Sequence, residues 1–239
     1  MATSGSTNFT LNRNEMINSA FRLIGVGIRG ETLTAEEIAN GSEALNLMLK
    51  AWEARGLPMW RRDALSVTLV ASQAAYTIGP SGADVTAARP LRILEANYKD
   101  TNNETASINV VSLEEWSGLP DRSTAKNSPP TSLYFDPTIT SSTVNIWPMP
   151  DATAAAEWTL ELWVHSPIED MDGSTDDFDC PPEWLEAIKY NLALRLADEY
   201  GIPDQMYYRI RSMARDGLAF AENWDVEDVS ITFEPNGDF

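Results

Sequence analysis

Hydrophobic and polar positions follow two different periods along this chain. Residues 12–24 and 34–56 near the start, and 181–223 near the end, carry apolar side chains at the spacing of one helix face. Residues 63–168 carry short runs of alternating apolar and polar side chains, which are typical of strands. The pattern predicts an α+β protein, in which an α-helical bundle built from the N- and C-terminal helices holds an inserted antiparallel β-sandwich or barrel-like domain.

Capping residues predict where the first two helices begin. Asn12 is followed three residues later by Glu15, and Thr34 is followed by Glu37, so each pair predicts a capping box. The first helix is expected to stop within residues 25–27, and Gly56 fits the position just after the second.

Two further helices are predicted near the C terminus. Asp179 or Cys180 is expected to cap the first, which should end at Tyr200 and Gly201, and Pro203 is expected to open the second. The apolar positions of the two helices are Trp184, Ile188, Leu192 and Leu196, and then Met206, Ile210, Met213, Ala214 and Ala221.

Six or seven strands are predicted between the helical segments. They cover residues 65–70, 75–78, 91–98, 107–111, 133–135, 144–147 and 158–164. The last three are expected to be successive antiparallel strands, and residues 112–115 to form a short capped turn. The resulting domains are a flexible arm at 1–11, helical parts at 12–62 and 169–223, the β domain at 63–168, and a C-terminal tail at 224–239.

Negative charge is the strongest feature of the composition. The formal net charge is −19, and residues 169–239 hold 18 Asp and Glu against 5 Lys and Arg. Tight binding to duplex DNA relies on Lys and Arg, which neutralise phosphates, so the composition disfavours a protein that binds DNA tightly. It indicates either an ordinary acidic surface or one that lies near DNA without adhering to it.

No transmembrane segment or secretory signal is expected from the sequence. The single cysteine, Cys180, excludes an intramolecular disulfide. The only histidine is His165, and no nucleophile motif surrounds Cys180, so we expect no catalysis and no cofactor. The glycines at 25, 27 and 30 match the spacing of a dinucleotide-binding loop. Because they follow a helical pattern and such a loop follows a strand, they do not predict a dinucleotide site.

An acidic run precedes the third helix. Asp170, Asp172, Asp176 and Asp177 invite a calcium interpretation, but two mismatches to the calcium-loop pattern favour an exposed acidic loop, and we expect no metal. These four residues are also candidates for an acidic channel lining. The eight tryptophans are best explained as core and interface anchors, although acids and tryptophans together leave a carbohydrate- or cell-wall-active site as the alternative.

Arg55, Arg61 and Arg62 form a basic group after the second helix. They either complement the helix C terminus or form an ion-pairing surface for a neighbouring acidic subunit.

Several short motifs, taken in order, resemble the head-to-tail adaptor proteins of tailed bacteriophages. They are residues 45–60 (LNLMLKAWEARGLPMW), 76–79 (YTIG), 89–93 (RPLRI), 146–150 (IWPMP), 182–193 (PEWLEAIKYNLA) and 196–201 (LADEYG). The family includes the packaged-DNA stabilisation proteins and the tail tubular A proteins of short-tailed phages. The resemblance covers about residues 34–215.

The resemblance implies a non-enzymatic virion protein, assembled in the bacterial host cytoplasm and located at the head–tail junction. It implies a homo-oligomeric ring of twelve copies beneath the portal protein ring, with tail or nozzle proteins attached below. DNA would pass through without specific binding, and no membrane is involved. Within this interpretation, an apolar C-terminal strip of Trp224, Ile231, Phe233 and Phe239 is expected to dock on a partner ring.

Overall fold

The computed structural model describes residues 5, 9–27, 31–57, 61–178 and 180–224, with the Trp224 side chain excepted. It is a mixed α+β structure with six helices and several antiparallel sheet pairings among these residues. The chain divides into two compact units, which are described separately. A helical unit comprises Met1–Trp60 and Ile168–Phe239, and a β unit comprises Arg61–Pro167.

Four of the helices belong to the helical unit and two short ones to the β unit. They are α1 (Arg13–Leu23), α2 (Ala35–Ala54), α3 (Leu113–Gly118), α4 (Ala152–Glu157), α5 (Pro182–Tyr200) and α6 (Asp204–Trp224). The predicted helices are therefore all present. The helix α4 was not predicted, and Asp151 caps it by accepting hydrogen bonds from the amides of Thr153 and Ala154.

The helix ends confirm most of the capping predictions. Asn12 and Thr34 each form a complete capping box, and hydrogen bonds from Thr34 hold the pKa of Glu37 below its usual value. Gly56 and Gly201 have φ angles of 71° and 59°, which is the left-handed conformation that glycine adopts most readily. The predicted cap of α5 was wrong, because Pro181 occupies that position and provides no side-chain hydrogen bond.

The helical unit has one hydrophobic core to which α1, α2, α5 and α6 all contribute. Its first two helices approach closely at Gly41, where an added Cβ would lie 2.6 Å from Cγ2 of Ile17. The rings of Phe21 and Tyr200 meet edge to face at 5.2 Å, and those of Trp52 and Trp184 lie 6.1 Å apart. Met213, predicted to be an apolar-face residue, is instead 40% exposed, because it lines an open groove between α6 and the start of α5.

The β unit contains eleven strands, several of them only two or three residues long. They are β1 (Arg62–Thr68), β2 (Ala75–Gly79), β3 (Val85–Thr86), β4 (Arg92–Asp100), β5 (Thr105–Ser107), β6 (Asn109–Val111), β7 (Ala125–Lys126), β8 (Ser132–Pro137), β9 (Ser142–Trp147), β10 (Met149–Pro150) and β11 (Trp158–His165). The sheet orders are β1-β11-β4-β5, β3-β2-β9-β8-β6 and β10-β7.

The strand predictions are partly corrected by this topology. The strands β8 and β9 pair antiparallel as expected, but β11 pairs with β1 and β4 in the other large sheet. The pairs β2–β3, β6–β8 and β7–β10 are parallel. The predicted strand at 107–111 is present as β6, whereas the two-residue strands β3, β7 and β10 escaped prediction because two residues are too few to show a period.

The two large sheets share one hydrophobic core. Leu160, Leu162 and Val164 of β11 are fully buried, and their period of two places Trp163 on the opposite, exposed face. The other sheet contributes Tyr76, Ile78 and further buried residues to the same cluster.

Candidate interaction surfaces

The acidic segment, defined as residues 168–178, is fastened along the first two helices. The amides of Arg13 and Asn14 donate to the carbonyls of Asp176 (2.9 Å) and Ser174 (3.4 Å), and Asn12 forms an antiparallel bridge with Asp177. Because free amides at the start of a helix need acceptors, these bonds satisfy groups that α1 cannot pair internally. The acidic segment is therefore part of the fold of the helical unit.

Side chains of α1 and α2 reinforce this attachment. Arg13 Nη1 donates to the carbonyls of Asp172 (2.6 Å) and Met171 (3.2 Å), and to Ser42 Oγ at 3.3 Å. Asn46 Oδ1 accepts from the amide of Met171 at 3.1 Å. One guanidinium thus links the acidic segment to α2 as well as to α1.

The start of the acidic segment is held by a lysine and a glutamate of α2. Lys50 Nζ donates to the carbonyl of Ile168 at 2.9 Å and forms an ion pair with Asp170 at 2.9 Å. Glu53 accepts a hydrogen bond from the Ile168 amide, and its carboxylate lies 3.6 Å from the same lysine. The charge of Asp170 is therefore compensated within the chain.

Asp170, Asp176 and Asp177 line one small cavity of about 190 Å³, together with Glu169 and Met171, whereas Asp172 does not. Asp176 accepts from the amide of Gly173 at 2.5 Å, so its carboxylate closes a local turn. Asp172 and Asp177 are exposed. Within the described ranges, no group of three or more His, Cys, Asp and Glu side chains is placed to hold a metal ion. Asp179 lies outside the described residues.

The predicted basic group is divided between the two units. Arg55 is the C-cap residue of α2. The burial of Arg195 on α5 lowers the pKa of its guanidinium, and the nearby charge of Arg55 lowers this pKa further. Arg61 and Arg62 belong to the β unit, where Arg61 forms an ion pair with Asp63 at 3.8 Å and Arg62 begins β1 opposite His165.

The two residues considered for nucleophilic chemistry also belong to different units. His165 ends β11 and is only 5% exposed, while Cys180 is half-buried against the core of the helical unit. The tryptophans of the helical core, Trp52 and Trp184, are each 2% exposed. Trp147 Nε1 donates to the carbonyl of Pro120 at 2.8 Å, so this indole supports a loop.

The tyrosine of the YTIG motif has a structural role. Tyr76 is buried, and its hydroxyl accepts from the amide of Val70 (2.9 Å) and donates to the carbonyl of Gln73 (3.0 Å). Burial raises the pKa of this phenol. The tyrosine, which lies within β2, therefore closes the turn between β1 and β2.

The predicted apolar strip lies almost entirely outside the described residues. Trp224 ends α6, and Ile231, Phe233 and Phe239 follow it in the part of the chain that the structure does not describe. No helix of the described residues is both long and apolar enough to cross a membrane.

Exposed aromatic and basic side chains that the sequence pattern did not indicate lie on two sides of α6. Tyr208 is 65% exposed and Phe220 is 61% exposed, although both stand in a helix with a clear apolar face. Arg211 and Arg215 are exposed beside Tyr208. The spacing of the two arginines, four residues apart, was a signal in the sequence that could have identified their side of the helix.

The motifs and their structural roles agree with the match of residues 12–227 to a protein family. No curated protein matches the chain. These residues, which include α1 to α6 and the entire β unit, match the family described as SU10 adaptor protein. This supports the resemblance to phage head-to-tail adaptors, whereas the particular subtype stays a prediction. The chain belongs to the SU10 adaptor protein family.

Proposed function

We propose that this protein is a structural part of the phage virion, a connector that forms a ring beneath the portal. In this role it extends the DNA channel, helps to retain packaged DNA and offers an attachment platform for tail proteins. The observation that carries the proposal is the family match over residues 12–227. The role requires no catalysis, and we propose that the protein is not an enzyme.

The proposed architecture is a helical bundle with an inserted β-sandwich-like domain. It is supported by the two separate hydrophobic cores, one shared by α1, α2, α5 and α6 and the other shared by the two large sheets. A bundle of this kind supplies a rigid wall for a ring, and an inserted domain can differ between relatives without disturbing that wall.

The acidic charge fits a channel through which DNA must slide. A net charge of −19 repels phosphate, and this repulsion acts over about 8 Å at physiological ionic strength. The acidic segment would present Asp172 and Asp177 on a support fastened to two helices. We propose this segment as a candidate channel lining, in a homo-oligomer of twelve copies.

The proposed contacts with the portal come from the C-terminal strip and the basic residues. Apolar side chains of a segment near a chain end can be buried on the surface of a partner. Ile231, Phe233 and Phe239 supply such side chains beyond α6, and Arg55, Arg61 and Arg62 supply positive charge in an acidic protein.

Electron microscopy of the purified protein, alone and mixed with its cognate portal ring, tests the proposed function. We expect a ring of about twelve copies, the number implied by the family resemblance, stacked on the portal. A particle that ignores the portal would contradict the proposal. Hydrolysis of sugar polymers that is lost on Asp172→Asn would favour the cell-wall-active alternative.

The contribution of the C-terminal strip is tested with matched variants. Replacing Ile231 and Phe233 by serine should abolish portal capture, whereas replacing Ser230 and Thr232 by alanine should leave it unchanged. Both variants keep the length and charge of the tail, so a difference between them reports the apolar side chains. Equal capture by both would remove this strip from the portal contact.

A further inference from the structure

The last helix, α6, exposes two flanks of different chemistry. Its buried side carries Ile210, Ala214 and Ala221, each no more than 1% exposed. On one side of this buried line lie Tyr208, Arg211 and Arg215, which we call the basic flank. On the other side α6 and the start of α5 enclose a groove with an acidic rim.

The basic flank concentrates positive charge in an acidic region of the chain. Three of the five basic residues between positions 169 and 239 lie on α6, and two of them belong to this flank. Within the part of the chain that the structure describes, neither Arg211 nor Arg215 forms an ion pair. Asp204 and Glu222 stand one and two turns beyond the flank, so the two guanidinium groups dominate its centre.

The second surface, which we call the acidic groove, has a volume of about 340 Å³. Its apolar lining is Pro182, Met213 and Phe220, and its carboxylates are Glu183, Glu186 and Asp216. The helix α6 packs against α5 beside this groove, where a Cβ added at Gly217 would make an ordinary van der Waals contact, 3.5 Å from Cα of Ala187. Arg209 lies on the same side of α6, which leaves three carboxylates against one guanidinium.

The positions of the two surfaces determine how they can be used. At about 100° per residue, Arg215 and Phe220 point about 140° apart around the axis of α6. A single helix packed against α6 therefore covers one surface and leaves the other open. Two complementary surfaces on opposite sides of one element favour head-to-tail association, which closes into a ring when the rotation between copies permits it.

We infer that the basic flank of one copy docks into the acidic groove of the next copy. Arg211 and Arg215 meet the carboxylates of Glu186 and Asp216, while the ring of Tyr208 packs on Met213 and Phe220. A second copy is the occupant because the same molecule carries both members of the charge pair, which would offset the repulsion between two chains of net charge −19. This inference rests on the proposed assembly role and identifies the surface that would join neighbouring subunits.

Charge exchange in the full-length protein tests the contact. The variants are Arg211→Glu with Arg215→Glu, Glu186→Lys with Asp216→Lys, and the combination of all four. Sedimentation velocity over a concentration series measures the association. We expect each double variant to raise the dissociation constant at least about tenfold, and the fourfold variant to recover most of the loss.

Matched controls separate the contact from net charge. Arg92→Glu with Arg122→Glu, and Glu104→Lys with Glu157→Lys, make the same charge changes at exposed positions of the β unit and should leave association unchanged. Circular dichroism confirms that each variant is folded.

Three results would overturn the inference. They are a wild-type chain that stays monomeric throughout the series, double variants that associate like the wild type, and a fourfold variant that recovers nothing. A monomer that still binds the portal would overturn this contact while supporting the proposed function. A chain that associates through these surfaces and ignores the portal would do the opposite.

Discussion

The acidic segment and the exposed flanks of α6 are both rich in charge, yet the chain treats them differently. The backbone of the segment is bonded to Arg13, Asn14 and Asn46, and Asp170 is paired with Lys50. The arginines of the basic flank have no such compensation among the described residues. Charge density therefore identifies an acidic or basic surface, whereas the absence of internal compensation identifies the surface that is available to a partner.

The largest effect is expected when the contact between α1 and α2, the helices that hold the acidic segment, is forced apart. Gly41→Val would place a side chain against Ile17 and Phe21, where even a Cβ is too close. We expect a loss of about 2–3 kcal/mol in the free energy of unfolding, measured by urea denaturation. Ala39→Val makes a β-branched substitution at an exposed position of the same helix and should cost less than about 1 kcal/mol. Equal losses would show that the close approach at Gly41 has no special importance.

A smaller effect is expected when the acidic segment loses its principal side-chain donor. Arg13→Ala removes the hydrogen bonds to Met171, Asp172 and Ser42 and should lower the free energy of unfolding by about 1–2 kcal/mol. Arg22→Ala changes an exposed arginine of the same helix and should have a smaller effect. Hydrogen exchange at the Met171 amide should accelerate only in the Arg13 variant. Identical behaviour of the two variants would refute the anchoring role.

Asp84, in the β unit, is another carboxylate that is stabilised by hydrogen bonds within the chain. Its contribution to the stability of the fold is expected to depend on pH. Asp84 accepts from the amide and hydroxyl of Thr77, both at 2.7 Å, and these bonds hold the pKa of its carboxyl below the usual value. A lowered folded-state pKa stabilises the fold above the unfolded-state pKa of about 3.9, and this stability is lost as pH falls through the folded value.

Asp84→Asn should therefore destabilise the protein by about 0.5–1 kcal/mol at neutral pH. The difference from the wild type should shrink as the pH falls below about 4 in a series of thermal unfolding experiments. Asp136→Asn, an exposed position on β8, is the matched control and should show a smaller difference at neutral pH. A difference between Asp84→Asn and the wild type that persists unchanged at low pH would contradict the assignment.

The smallest effect is expected where the charges are uncompensated. Arg211→Gln with Arg215→Gln should change the free energy of unfolding by less than about 0.5 kcal/mol at a protein concentration that keeps the chain monomeric. The same variant should weaken self-association. A destabilisation as large as that of Arg13→Ala would mean that the basic flank stabilises the fold. The basic flank and the acidic segment would then not differ in the way described above.

Local signals explain why much of the fold could be predicted from the sequence. Some signals act within a few residues and can therefore be recognised from the sequence alone. They are the capping boxes at Asn12 and Thr34 and the glycines at 56 and 201. The pairing of β11 with β1 and β4 depends on contacts between distant residues, which no local pattern encodes.

The candidate surfaces were less predictable for a related reason. The sequence identified Asp170 as an acidic residue but could not show that Lys50 neutralises it, since the two are 120 positions apart. It assigned Met213 to the apolar face of α6, although the helix places this side chain beside the acidic groove. Whether a side chain is compensated or exposed is decided by tertiary neighbours, and this information is missing from periodicity alone.

The link between Arg13 and residues 171 and 172 also has a consequence for biosynthesis. These partners are separated by 158 and 159 positions, so a ribosome making about 5–20 residues per second needs roughly 8–30 s to deliver them after α1. During this interval the core-facing side chains of α1, such as Phe21, lack the surface that α5 later provides. The β unit, which is complete by Pro167, is synthesised entirely within this interval. We therefore expect the yield of folded subunits to depend on how well the nascent N-terminal helices are protected during translation.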